Sequence, residues 1–215
     1  MARLYLVTLG FDEKFAARFL LRHGLQRGDT VVIVVAGDYE ANKKVRAAVD
    51  ALQAILRGVE VDVRVVPVDP GSAEEAVRRI VEVLSGAGFV SGVYAGLSGG
   101  MRALVLVATL ALLLYSRMMS TRVDVEVDRE DLAGYVWLPL DVAVLGLDER
   151  DLEVLRAAQG YEGRPTVRGL AEKLGMSHAT VHRVVEKLRG MGLLDEKNRV
   201  TRRGRFVLGV LGGSG

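Results

Sequence analysis

The sequence contains no cysteine, which excludes a disulfide framework and any thiolate metal site. Histidine is scarce, with three residues in 215. His178 and His182 stand four apart, as two metal ligands on a helix would, but no third ligand lies near them in sequence. Neither a metal nor a cofactor is expected. Long hydrophobic runs are also missing: the longest, Ala103 to Tyr115, covers 13 residues, short of the roughly 20 that span a bilayer. The N-terminus lacks the basic region, apolar core and cleavage site of a signal peptide. The expectation is a cytoplasmic protein with no membrane partner. Disorder is excluded by an apolar content of 50%.

Charge of one sign is missing overall, since the net charge is +2, but it is unevenly spread. Residues 1–147 carry 16 Lys and Arg against 18 Asp and Glu, whereas residues 166–206 carry 10 against 4. A near-neutral first part and a basic last part point to a polyanion for the last part only.

The first part alternates strand and helix signals. Strands are predicted at Leu4–Leu9, Thr30–Ala36, Val61–Val68 and Phe89–Ala95, with amphipathic helices at Asp12–His23, Tyr39–Leu56 and after a Ser72 cap. The apolar helix from Ala103 follows the fourth strand. Val123–Val127 alternates, which predicts a half-exposed edge strand, and Tyr135–Leu140 is a possible sixth strand. Alternation of this kind predicts an α/β, Rossmann-like, mostly parallel sheet in residues 1–141. With strand order 3-2-1-4-5, the turns after strands 1 and 4 meet in one crevice, where such folds bind ligands.

Those two turns carry the candidate binding residues. At the end of strand 1 and in the turn after it come Thr8, Gly10, Phe11 and Asp12; after strand 4 come Gly96, Leu97, Ser98, Gly99, Gly100, Met101 and Arg102; Gly37 and Asp38 follow strand 2. Glycines at a strand-to-helix turn expose amides at a helix start, where the dipole favours an anion. Arg102 is a cation at the positive end of a helix, an unfavourable placement that an anionic ligand such as a phosphate would offset. A redox dinucleotide fits poorly, because no G-x-G-x-x-G follows strand 1.

Residues 142–215 read as helix, helix, sharp turn, helix, short hairpin and a final helix, the plan of a winged helix-turn-helix. Thr166 to Arg183 resembles the helix-turn-helix of winged-helix repressors, with Ala171, Gly175 and Val181 at the packing positions. The implied partner is double-stranded DNA. Candidate contacts are Thr166, then Ser177, His178, Thr180 and Arg183 on the recognition helix, with Lys187 and Arg189 further along. Lys197, Asn198 and Arg199 would form the wing tip.

Taken together, Thr8 to Lys14, Gly96 to Arg102 and the winged helix resemble the CRISPR-associated CARF–winged-helix transcriptional regulators of archaeal type I-A systems. That resemblance implies a homodimer sharing one cyclic oligoadenylate, chiefly the four-membered ring, across its two-fold axis. It also implies a regulator of CRISPR-associated genes and not an enzyme, with no catalytic residue assigned. The alternative is a slow, metal-independent ring nuclease, for which Ser98, Arg102 and Lys14 are available but no histidine lies in either turn.

Overall fold

The computed structural model describes residues 2–88, 90–131 and 133–211. The chain divides into two compact units, Met1–Val144 and Leu145–Gly215. The glycine-rich tail from 212 and Phe89, the first residue of the predicted fourth strand, lie outside the described residues.

Unit one runs β1 (Leu4–Leu9), α1 (Lys14–His23), β2 (Thr30–Ala36), α2 (Lys43–Leu56), β3 (Asp62–Val68), α3 (Ala73–Ser85), β4 (Val93–Gly96), α4 (Arg102–Met119), β5 (Val123–Asp128), β6 (Tyr135–Pro139) and a 3-10 turn, Leu140–Val144. The sheet order is β3-β2-β1-β4-β5-β6, parallel except for the antiparallel β5–β6 pair. β1 and β2 are continuous apolar runs because helices cover both faces. One core layer joins Leu4, Leu6, Val32 and Val34 to Ile80, Leu84, Leu104 and Leu112 of α3 and α4; the other joins Tyr5, Val7, Ile33 and Val35 to Phe19, Leu20, Val49 and Leu52 of α1 and α2.

Three expectations change. β5 is an interior strand, not an edge, because β6 pairs along its free side. Its alternation has another cause: Val123 and Val125 join the α3–α4 core layer, and Asp124, Glu126 and Asp128 take the opposite face. The fourth strand is short, Val93–Gly96. At the α3 start, Ser72 makes no capping hydrogen bond; its hydroxyl donates to Asp69 instead.

α4 is the one described helix long and apolar enough to cross a membrane. Its residues Leu104, Val107, Ala108, Ala111, Leu112 and Tyr115 are buried, which is the packing of a core helix. The outward stripe of Leu106, Leu110, Leu114 and Met118 is exposed, as are Val136 and Leu138 on the edge strand β6.

Unit two contains α5 (Glu149–Gln159), α6 (Val167–Leu174), α7 (His178–Gly190) and α8 (Arg202–Leu211), with a bridge between Leu194 and Val200 closing the wing. Local chemistry starts each of the first three helices. Asp148 forms a capping box with Asp151, Thr166 accepts from the Gly169 amide, and Ser177 accepts from the Thr180 amide. Gly175, left-handed at φ 64°, makes the sharp turn between α6 and α7.

Candidate functional site

In unit one the turns after β1 and β4 touch backbone to backbone. A methyl group on Gly99 would lie 2.5 Å from the Thr8 carbonyl oxygen, and one on Gly10 would lie 2.9 Å from Gly100 Cα. The Gly96 position is filled by the Phe19 ring at 2.7 Å. The glycines are therefore required for the two turns to pack against each other, a closer constraint than ligand approach. Gly100 adds a positive φ of 85°, which a side chain would resist.

That contact decides which candidates are presented. Thr8, Gly96 and Leu97 are buried beneath the turn, as continuations of strands covered on both faces, and so leave the contact surface. The Thr8 hydroxyl is one of the few buried polar atoms without a hydrogen-bond partner among the described residues. Ser98 is engaged inward: it accepts from the Asp128 amide at 2.7 Å and its hydroxyl donates to the Asp128 carboxylate at 3.3 Å. Asp12 accepts from the Lys14 amide and pairs with the Lys14 ammonium, so it opens α1. Gly37, at φ 60°, and Asp38 are exposed at the carboxyl end of β2.

In the two turns, the outward side chains that make no hydrogen bond or ion pair with the described residues are Phe11, 68% exposed, Met101, 55% exposed, and Arg102. No side chain caps the N-terminus of α4, whose first amides are open to an acceptor. Beside them lies a cleft of about 300 Å³ lined by Leu9, Gly10, Phe11, Ala36, Asn42, Val45, Gly100 and Met101. Asn42 and Lys44, whose ammonium lies 5.9 Å from the Phe11 ring centre, are missing from the sequence reading. Asn42 is the N-cap of α2, and that signal could have placed it at the same sheet edge.

Behind the crevice lies a group of buried charges. Glu126 and Asp128 share the α1-facing side of β5, with side-chain exposures of 7% and 2%. Arg22 bonds both, His23 contacts Glu126 at 3.1 Å, and the guanidinium lies over the Tyr135 ring at 4.3 Å. Burial alone would lower the Arg22 pKa, but its bonds to the two carboxylates outweigh burial and raise it.

In unit two the exposed face of α7 presents His178, Ala179, His182, Arg183 and Glu186. The two imidazoles are 6.4 Å apart, ring to ring. His182 is a groove-facing candidate that the sequence reading weighed only as a metal ligand. Among the described residues no group of three or more His, Cys, Asp or Glu could hold a metal. Thr166 is exposed at the α6 start, while Ser177 and Thr180 hydrogen-bond each other at the α7 start. Lys197 and Arg199 are exposed on the wing, Arg199 paired with Asp195. The carboxyl of Asp195 is held below its usual range, first by the Arg199 amide.

Three predicted DNA contacts are corrected. Asn198 is buried at φ 60°, with its amide donating to the Pro165 carbonyl and its oxygen accepting from Arg189. Arg189 is thereby committed to the wing and to Glu186. Lys187 bonds the buried Asp151 carboxylate and the Gly146 carbonyl, tying α7 to the α5 start.

A mostly parallel sheet with its crevice at the β1 and β4 turns, followed by a winged helix whose exposed α7 face carries His178, His182 and Arg183, defines a Rossmann-like domain joined to a winged helix-turn-helix. Residues 3–139 match the Csa3 CRISPR-associated Rossmann-like domain, and residues 147–195 match a winged helix-turn-helix DNA-binding domain. The chain belongs to the Csa3-type CRISPR-associated family, CARF domain first and winged helix second. No match is found among curated proteins. Among solved structures, Can2 from Sulfobacillus thermosulfidooxidans in complex with cyclic tetra-adenylate is similar at 13% identity and a TM-score of 0.42, over 85% of this chain and 63% of that one. Protein VC1899 from Vibrio cholerae is similar at 13% identity and a TM-score of 0.41, over 97% and 57%. This chain thus spans less than two thirds of either.

Proposed function

We propose that this protein is a cytoplasmic, homodimeric transcriptional regulator of CRISPR-associated genes that senses a cyclic oligoadenylate, chiefly the four-membered ring. The observation carrying the reading is the crevice itself: an unpartnered Arg102 and uncapped α4 amides for phosphate stand beside an apolar cleft under Phe11 and Met101 for a flat base. A ring of identical nucleotides has rotational symmetry, so two copies of this crevice around a two-fold axis can each hold half of it. The exposed stripe of Leu106, Leu110, Leu114 and Met118 supports pairing through α4, because an apolar face of this kind marks an interaction surface.

In unit two, Arg183, His178, His182 and the wing residues Lys197 and Arg199 are the proposed DNA contacts, with Thr166, Ser177 and Thr180 adding hydroxyls near the backbone. Ligand binding alters operator affinity by favouring one arrangement of the dimer.

The test is a thermal-shift panel of cyclic and linear oligoadenylates, followed by mobility shifts on duplexes selected from a random library, with and without ligand at fixed salt. A selective rise in melting temperature with one ring size, and a ligand-dependent operator affinity, support the reading. Equal affinities with and without ligand refute the coupling. Ring cleavage is the weaker reading, since the Ser98 hydroxyl is engaged with Asp128 and Lys14 is paired with Asp12. Linear product on incubation would establish it.

A further inference from the structure

We infer that Asp128 is a positioning residue for the ligand-binding turn, acting through Ser98 with Arg22 as its neutralising partner; this rests on the ligand reading above. Ser98 opens a turn whose next two residues are glycines, the least restrained residues of the chain. Beside the buried Leu97, its hydroxyl makes the only side-chain hydrogen bonds that the described structure gives that turn. Both bonds of the hydroxyl go to Asp128, one to its amide and one to its carboxylate.

A buried carboxylate behind an anion site repels the ligand and is costly to bury alone. The structure offsets that charge locally. Arg22 Nη1 lies 3.3 Å from Asp128 Oδ1, while its Nε and Nη2 bond Glu126 at 3.1 and 2.7 Å. Tyr135, directly opposite Asp128 in the β5–β6 ladder, covers the guanidinium face. Arg22 is thus fixed by groups on β5 and β6, Asp128 is fixed by Arg22, and Ser98 by Asp128. The arrangement holds the turn in one shape before ligand arrives, which lowers the ordering cost of binding. Ser98 then serves the turn and does not touch the ligand.

A double-mutant cycle on the full chain tests this, with cyclic tetra-adenylate affinity measured by calorimetry and amide exchange of residues 98–101 followed without ligand. Ser98→Ala, which removes both bonds, is expected to weaken binding roughly tenfold, and Asp128→Ala, which leaves the amide bond, by less, with the double variant no weaker than Ser98→Ala alone. Turn amides are expected to exchange faster in each. Should Asp128→Ala not fold, Asp128→Asn keeps the size while removing the charge that Arg22 binds. A further tenfold loss from Asp128→Ala in the Ser98→Ala background shows Asp128 acting other than through Ser98 and overturns the inference. Unchanged exchange in the Asp128 variant also overturns it. If the wild type binds no cyclic tetra-adenylate, the ligand reading fails, and the exchange result alone decides for or against the anchor.

Discussion

A methyl group placed on Gly10 would lie 2.9 Å from both N and Cα of Gly100, so the two loops of the crevice are in van der Waals contact through bare backbone. Backbone cannot move aside as a side chain can, and the same holds for Gly99 against Thr8. Gly99→Ala is accordingly expected to cost roughly 2–3 kcal/mol of stability, as overpacking does. Gly209→Ala, at an open position within α8, should instead stabilise by about 0.5–1 kcal/mol through helix propensity. Urea denaturation of the two variants checks both signs.

Arg102→Ala removes the one cation at the crevice side of α4. Affinity for cyclic tetra-adenylate is expected to fall roughly 10- to 100-fold, the range for a lost hydrogen bond to a charged group. Titration calorimetry reads it directly. An unchanged affinity would reduce the glycine turn to a packing device.

Lys187→Ala distinguishes a structural lysine from a DNA contact. It leaves the Asp151 carboxylate, 2% exposed, without its cation. The expected loss is about 2–3 kcal/mol, below that of a fully buried pair because Lys187 is partly solvated. Arg183→Ala should leave the melting temperature within a degree or two yet reduce the salt slope of DNA binding by about 1 if it meets a phosphate. Thermal melts and salt-dependent affinity on the two variants separate the roles.

The α5 start carries an acid-sensitive element. The Asp148 carboxyl is held below its usual range, chiefly by the Asp151 amide. A depressed folded-state pKa contributes stability that is present above the unfolded carboxylate pKa of about 3.9 and is lost as pH falls through the lower folded value. Asp148→Asn, itself a good N-cap, should keep stability at neutral pH and flatten the acid limb. Melting temperatures between neutral pH and the acid range test this.

The α4 stripe gives an oligomer test. Leu110→Asp places a charge in the centre of the proposed interface. Sedimentation is expected to show monomer where the wild type sediments as a dimer, and a monomeric wild type would refute the pairing.

Sequence alone was enough for most features that depend on neighbours along the chain, the Ser72 cap being an exception. The apolar runs of β1 and β2 and the Gly175 turn are local matters of periodicity and backbone conformation within three or four residues. Those features led to the α/β unit, the winged helix and the pairing of the two turns in one crevice. The tertiary structure alone decided what each polar side chain is used for. Ser98 is taken by Asp128, 30 residues away; Arg22 by Glu126, 104 away; Lys187 by Asp151, 36 away; and Asn198 by Pro165, 33 away. A serine, arginine, lysine or asparagine looks the same in sequence whether it faces ligand, DNA or the protein interior. Burial, set by partners distant in the chain, makes the distinction, because a buried polar group must be satisfied within the protein.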